Sequence, residues 1–273
     1  MNSHPTHPYL LNPLHPVKIV LIGCGGTGSH MLSALCRLHQ GLVALGHVGL
    51  HVTVYDNDTV SESNVGRQLF SLADLGMNKA ICLVTRINRH AGTDWLAVPH
   101  FYDPVERSGD SCNIIITCVD NIKTRLRVKN VIGRERKVSQ DIHPGLTYYW
   151  LDLGNSRYTG QVVLGSVTGR KTNPVPVLED IVDLHPELKH MTGEEDPSPS
   201  CSMFEALSKQ DLFINSSLAQ LAGNLLWRLF TNARLTYHGF YVNLETMRTT
   251  PLLIEKKPEE MKKKGRRTTK VSR

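Results

Sequence analysis

The sequence predicts an α/β protein built on a doubly wound, mostly parallel sheet with an antiparallel extension at its C-terminal end. Three observations lead there. Val17 to Ile22 (Val-Lys-Ile-Val-Leu-Ile) is a β-branched run that enters Gly23-Cys24-Gly25-Gly26-Thr27-Gly28 directly and is followed by apolar residues at helical spacing. Strand-like and helix-like segments then alternate as far as about residue 132. Beyond residue 147 the pattern changes to paired short strands around turn residues.

Element by element, Val17–Ile22 reads as a buried strand and Ser29–His39 as a helix with Met31, Leu32, Leu35, Cys36 and Leu38 on its apolar side. Leu50–Tyr55 is a second strand, closed by Asp56-Asn57-Asp58. Ala73–Arg89 reads as a helix and Trp95–Phe101 as a strand. The continuous run Asn113–Val119 has the character of a strand buried on both faces, with a helix over Asn121–Ile132 after it. Thr147–Leu153 and Tyr158–Leu164 flank Gly154-Asn155-Ser156 as a hairpin. Asp211–Phe230 is a strongly apolar helix, and Tyr237–Leu244 and Met247–Ile254 are two closing strands. Strand, glycine turn and helix in that order make the sheet Rossmann-like.

The chain has 273 residues, enough to bury a full core without disulfide or metal staples. No apolar run reaches the roughly 18–20 residues of a membrane span, and the N-terminus lacks the basic and apolar regions of a secretory signal. The expected location is therefore the cytoplasm, with no membrane partner. The expected organisation is a flexible arm over 1–16, one domain over 17–254 with a crossing loop at about 166–210, and a disordered basic tail over 255–273. That tail holds nine Lys/Arg and three Asp/Glu, an excess equal to the net +6 of the whole chain, whereas the preceding 254 residues carry 22 of each sign. The positive balance thus belongs to the tail, open to contact with an acidic partner or nucleic acid.

Cys24, Cys36, Cys82, Cys112, Cys118 and Cys201 form no C-x-x-C pair, so no zinc site is expected and the thiols should be reduced. All but Cys201 lie in apolar segments and read as buried small hydrophobes. The 13 histidines are scattered and read as surface or structural groups, with His4, His7 and His15 in the arm.

The chemistry begins at the glycine loop. Glycines permit positive φ and close approach, and a helix N-terminus offers free N–H groups to a phosphate. Asp56, at the end of the second strand, is placed to accept hydrogen bonds from ribose hydroxyls, a role that suits NAD or ATP equally. Asp58 reads equally as a turn residue or a functional one. Asn64, Arg67, Gln68, Lys79 and Asp120 then follow in order along the same βαβ frame. A hydride-transfer site needs no such collection of cations and carboxylate around phosphates. Attack of a carboxylate on an α-phosphorus does, because charge grows on the phosphoryl oxygens and pyrophosphate and a carboxylate can hold Mg²⁺.

Taken together, G-C-G-G-T-G, D-N-D, N-V-G-R-Q, G-M-N-K-A and C-V-D-N-I-K-T-R resemble the ThiF/MoeB family, with its ubiquitin-activating-enzyme fold, over roughly residues 17–165 and more weakly to about 245. Within that family the chain resembles the ThiF-like proteins of the bacterial PRTRC cassette. The resemblance implies ATP-dependent adenylation of the C-terminal glycine of a ubiquitin-like or sulfur-carrier protein; a homodimer stays open. It implies that Gly23, Gly25, Gly26 and Gly28 approach the nucleotide and that Asp56 holds the ribose. It implies phosphate contacts for Asn64, Arg67, Gln68 and Lys79, and Mg²⁺ on Asp120. Three departures stand out. Thr117 replaces a further Asp of many relatives, the N-terminus has no Arg-rich helix, and the paired C-x-x-C motifs are missing. Pro199-Ser200-Cys201-Ser202 resembles the Pro-x-Cys-Thr context of thioester-forming members, so Cys201 is a candidate nucleophile, although Glu194, Glu195 and Asp196 should raise its pKa. Three alternatives stay open: an NAD-dependent oxidoreductase, adenylation of a non-protein substrate, and a non-catalytic scaffold.

Overall fold

The structure, a computed structural model, describes residues 2–103, 112–138, 146–167, 177–191 and 210–254. Eight strands form one sheet in the order β10-β9-β7-β6-β5-β2-β3-β4. They are β2 (Val17–Ile22), β3 (Leu50–Tyr55), β4 (Leu96–Val98), β5 (Ile114–Thr117), β6 (Tyr149–Asn155), β7 (Thr159–Ser166), β9 (Tyr237–Asn243) and β10 (Arg248–Leu253). The pairs among β4, β3, β2, β5 and β6 are parallel, and β6–β7, β7–β9 and β9–β10 are antiparallel. The expected doubly wound sheet with its antiparallel extension is therefore present. One edge strand, β4, has three residues, and the other, β10, carries Pro251 and a register shift at Leu252/Leu253.

The central strands β2, β5 and β6 are largely apolar because both of their faces are covered. Ile19, Leu21, Val52, Val54, Ile114 and Ile116 face the core shared with α2 (Gly26–Ala44), α3 (Lys79–Ala91) and α6 (Ile214–Thr231). Val20, Ile22, Ile115 and Trp150 face the opposite core, with Val128 and Ile132 of α4 (Ile122–Val138) and Ile181 and Val182 of α5 (Ile181–Leu184). The β-branched side chains of these central strands thus enter one core or the other whichever way the pleat points them.

Three expectations need correction. The helix read over Ala73–Arg89 is a short 3-10 turn (Leu72–Asp74) followed by α3 from Lys79. Gly76 breaks the run with φ +78, and the Asn78 side chain caps α3 by accepting the Ile81 N–H at 3.1 Å. The second correction concerns the arm. His4–Pro5 forms a short strand, β1, against β8 (Arg234–Leu235), and α1 (Pro8–Leu11) buries Leu10 completely. The Tyr149 hydroxyl accepts the His7 N–H at 2.9 Å and lies 3.0 Å from His4 Nε2. The His7 ring stacks on Tyr148 with centroids 3.7 Å apart, and Thr6 Oγ1 donates to Leu229 O at 2.7 Å. Proline and histidine made this segment look solvated, yet the imidazoles supply flat surfaces that dock on tyrosines. The third concerns the segment read as a crossing loop from about residue 166, which contains α5, capped by Asp180, which accepts the Val182 and Asp183 N–H groups. The proposed tail, 255–273, lies outside the described residues.

Burial, then the charge of His4, lowers the pKa of His7 to about 4. Its unfolded value is near 6.5, so between pH 6.5 and 4 the unfolded chain takes up a proton that the folded chain does not. Stability should therefore fall as pH drops through this window. Urea unfolding of His7→Gln should show a shallower fall there than wild type; equal slopes would mean that the docked ring is not protected.

Candidate active site

In the sheet, strand order reverses between β2 and β5, and the glycine loop leaves β2 at this point. Three glycines of the loop serve packing. Gly23 has φ +87, and a Cβ on it would fall 2.6 Å from Cys118 O; one on Gly28 would fall 1.9 Å from Gly23 O, and one on Gly26 2.7 Å from Asn215 Nδ2. Gly25 differs. A Cβ there would meet only Gln68 Oε1, at 3.9 Å, and Gly25 is the cap residue of α2 with no side chain to occupy the helix's first N–H groups. The loop therefore leaves an open space in front of a helix N-terminus, where the partial positive charge attracts anions.

Asp56 holds this loop. Its Oδ2 accepts the Cys24 N–H at 2.5 Å and its Oδ1 accepts the Asp58 N–H at 2.9 Å. Burial raises its pKa, opposed by those two donors and by Lys79. Each oxygen keeps a further lone pair for an incoming hydroxyl. Asn78 Nδ2 donates to the carbonyls of Asp56 and Asp58 at 2.9 and 3.1 Å, which brings the start of α3 against the end of β3. Lys79, the next residue, is buried, and its Nζ meets Asp58 Oδ2 at 2.9 Å. Asp58 is thus the ion-pair partner of Lys79.

The segment 61–68 closes over the loop. Asn64 is buried, and its Oδ1 accepts the Ser61 N–H at 3.0 Å in a reciprocal cap, leaving Nδ2 as its donor. Arg67 Nη1 donates to Gln210 Oε1 at 2.8 Å, but Arg67 Nε and Gln68 Oε1 are buried without any partner. A buried orphan donor and acceptor beside an open helix N-terminus are the groups a polar ligand would complete. Burial also lowers the pKa of Arg67. An open cleft of about 660 Å³ borders Gln68 between α2 and α3, lined by Leu32, Phe70 and Leu83. Asp56, Lys79 and Asp120 do not line it, so shape alone would point away from the polar groups.

Asp120 follows β5 and is exposed. The cap of α4 is its neighbour, Asn121, whose Oδ1 accepts the Thr124 N–H at 2.8 Å. The carboxylate of Asp120 is accordingly not spent on the helix. Among the described residues no three His, Cys, Asp or Glu gather as a metal cage. A Mg²⁺ ion here would rest on Asp120 and on phosphate oxygens, a ligand set this ion accepts.

The structure links the glycine loop, Asp56, Asp58 and Lys79, and sets Gln68 against Gly25. Asp120 is two residues beyond Cys118, whose carbonyl abuts Gly23. Cys201 and most of the crossing loop lie outside the described residues. Sequence reasoning missed an amide chain over the loop. Gln210 Oε1 also accepts from Asn215 Nδ2 at 2.9 Å, and Thr27 Oγ1 donates to Asn215 Oδ1 at 2.7 Å, with Asn155 Oδ1 at 3.4 Å. A fully buried Asn at the start of an apolar helix was the available signal. Also missed was Asp152, a lone acid in the apolar strand Tyr-Trp-Leu-Asp-Leu, paired with Arg125.

The family model of the ThiF family matches residues 6–264. No curated protein matches by sequence. Among solved structures, PaaA is 17 % identical with a TM-score of 0.56, over 88 % of this chain and 65 % of that one. E. coli MccB with ATP is 15 % identical with a TM-score of 0.57, over 91 % and 66 %. The microcin C7 biosynthetic enzyme MccB with N-formylated MccA is 15 % identical with a TM-score of 0.53, over 89 % and 66 %. At these identities the likeness is one of fold, and the chain spans slightly under two thirds of their length.

Two alanine variants should separate packing from binding. Gly28→Ala drives a methyl into Gly23 O and should destabilise the fold strongly. Gly25→Ala meets little protein and should cost less stability while abolishing binding of a phosphate ligand such as ATP. Thermal unfolding with and without ATP reads both, and a Gly25→Ala protein still stabilised by ATP would place the ligand elsewhere.

Proposed function

The chain belongs to the ThiF family, and from that premise we propose that it is an adenylyltransferase using ATP and Mg²⁺ to activate a C-terminal carboxylate on a small protein or peptide. The finer reading is the C-terminal glycine of a ubiquitin-like or sulfur-carrier protein. The observation that carries the proposal is the pair of buried, unpartnered polar atoms, Arg67 Nε and Gln68 Oε1, beside the open N-terminus of α2. That E. coli MccB has been solved with ATP, and MccB with N-formylated MccA, is consistent with a nucleotide and a second ligand. A nicotinamide-dependent transfer would employ the glycine loop and Asp56 but give Arg67, Lys79 and Asp120 no task.

In the proposed reaction a carboxylate oxygen attacks the α-phosphorus, the bond to the α–β bridging oxygen breaks, and pyrophosphate leaves with the electron pair. Asp56 accepts the ribose hydroxyls. The free N–H groups of α2 and Asn64 Nδ2 orient the phosphates. Arg67 and Lys79 offset the negative charge that grows on the phosphoryl oxygens, and fixed cations that are themselves partly or fully buried do this at low reorganisation cost. Lys79 shares its three protons between Asp58 and the phosphates. Asp120 would hold Mg²⁺, which supplies further neutralisation of the leaving group. The acyl group would then pass to Cys201, whose thiolate attacks the acyl carbon as the acyl–phosphate bond breaks and AMP leaves.

ATP with Mg²⁺ at ~100 times its dissociation constant should raise stability by about 2.7 kcal/mol, while NAD⁺ and NADH should not. The rise should shrink in Asp120→Ala. Stabilisation by the nicotinamide cofactors alone would overturn the reading in favour of the oxidoreductase. With a carboxylate partner present, wild type should form an adduct that thiol reductants cleave and Cys201→Ala should not; an adduct of equal yield in the variant would remove the thioester step.

A further inference from the structure

We propose that Arg125 is a positioning residue for Asp120, acting through a buried ion pair with Asp152; the proposal rests on the adenylyltransferase reading above. Asp152 lies on β6 directly opposite Thr117, the last residue of β5. Its Oδ1 accepts from Thr117 Oγ1 at 2.5 Å and from Arg125 Nε at 2.9 Å, and the Thr117 hydroxyl in turn accepts from Trp150 Nε1 at 2.9 Å. Arg125 Nη2 reaches back to Val119 O at 2.7 Å and to Leu153 O at 3.4 Å. One guanidinium thus joins the end of β6, the segment leaving β5, and α4.

Asp120 is the residue between these fixings. The carbonyl before it is held by Arg125, and Asn121 after it is held by its cap to Thr124. Its own carboxylate is exposed, on a backbone secured on both sides. A cation ligand needs that combination, since second-shell partners set ligand orientation.

Core packing alone explains the pair poorly. Asp152 and Arg125 are both buried, and Asp152 Oδ2 has no partner. Buried ion pairs of this kind are often replaced by neutral groups without loss of stability. The guanidinium fork is what a neutral side chain cannot reproduce, because it holds a carboxylate and a carbonyl at once.

The test is ATP binding by calorimetry, in excess Mg²⁺ and in EDTA, with urea unfolding in parallel. Arg125→Met with Asp152→Asn removes both charges and leaves Thr117 an acceptor. The expected result is near-wild-type stability, unchanged ATP affinity in EDTA, and a Mg²⁺-dependent tightening reduced about tenfold or more. Arg125→Lys, which can meet Asp152 but not also Val119 O, should show the same selective loss and serves if the paired variant does not fold. Asp120→Ala is the reference for complete loss. If Asp120→Ala abolishes the Mg²⁺ effect while both Arg125 variants keep it in full, the positioning role is wrong and the adenylyltransferase reading survives. If Asp120→Ala keeps the effect, Asp120 is not the ligand and the positioning role falls with it. If wild type binds ATP under neither condition, the underlying reading fails.

Discussion

The carboxylate of Asp56 is the interaction on which the site is assembled. It sits at the end of β3 and accepts one main-chain N–H from the glycine loop that follows β2 and another from its own turn. Two neighbouring strands therefore end in one shared hydrogen-bonded unit. Without it, the Cys24 N–H would be a buried donor with no acceptor, a loss of about 1–3 kcal/mol. The loop's trajectory, the open face at Gly25 and the approach of Lys79 to Asp58 all follow from where that carboxylate stands. Burial raises its pKa, and the Asp58 and Cys24 N–H groups and Lys79 oppose that rise.

The C-terminal half does more than extend the sheet. The N-terminal turn of α6 lies on the glycine loop, and Asn215 fills the space that any side chain on Gly26 would need. Through Gln210 this helix is also bonded to Arg67. Arg67, Thr27 and the helix after the crossing loop are thus coupled through amides rather than through ion pairs. Amides satisfy one another at modest strength and can exchange partners cheaply when a stronger anion enters.

Much of this was legible in the sequence. β2 and β3 agree with the sequence reading residue for residue, because their β-branched runs end sharply, at Gly23 and at Asp56-Asn57-Asp58. The glycine loop, Asp56 and the order of Arg67, Lys79 and Asp120 were legible because local motifs carry them. What was not legible is pairing across long separations. Arg125 and Asp152 are 27 residues apart, and His4 and Tyr149 are 145 apart. In both cases tertiary packing, not the local pattern, brings the partners together: Asp152 and Tyr149 come from β6, Arg125 from α4, and His4 from β1, which pairs with β8 outside the eight-stranded sheet. The N-terminal arm looked flexible for the same reason, since nothing near His7 announces Tyr148. Charge was misleading in another way. The body's neutral total conceals α4, which has seven Lys/Arg against one acid, and two of those cations are consumed by Asp152 and Asp180.

The two margins of the sheet have a consequence for how an extended chain could be received. A strand can be added to a sheet only where successive main-chain groups are exposed in register. At one margin β4 offers three residues. At the other, Pro251 has no N–H and the register slips one step later, at Leu252/Leu253. Neither border is a template for annealing a partner's backbone, and the same features guard against edge-to-edge aggregation. An extended chain received by this fold would therefore be read by side chains and loops rather than by strand pairing, and its selectivity would come from its own side groups rather than from its ability to form a ribbon.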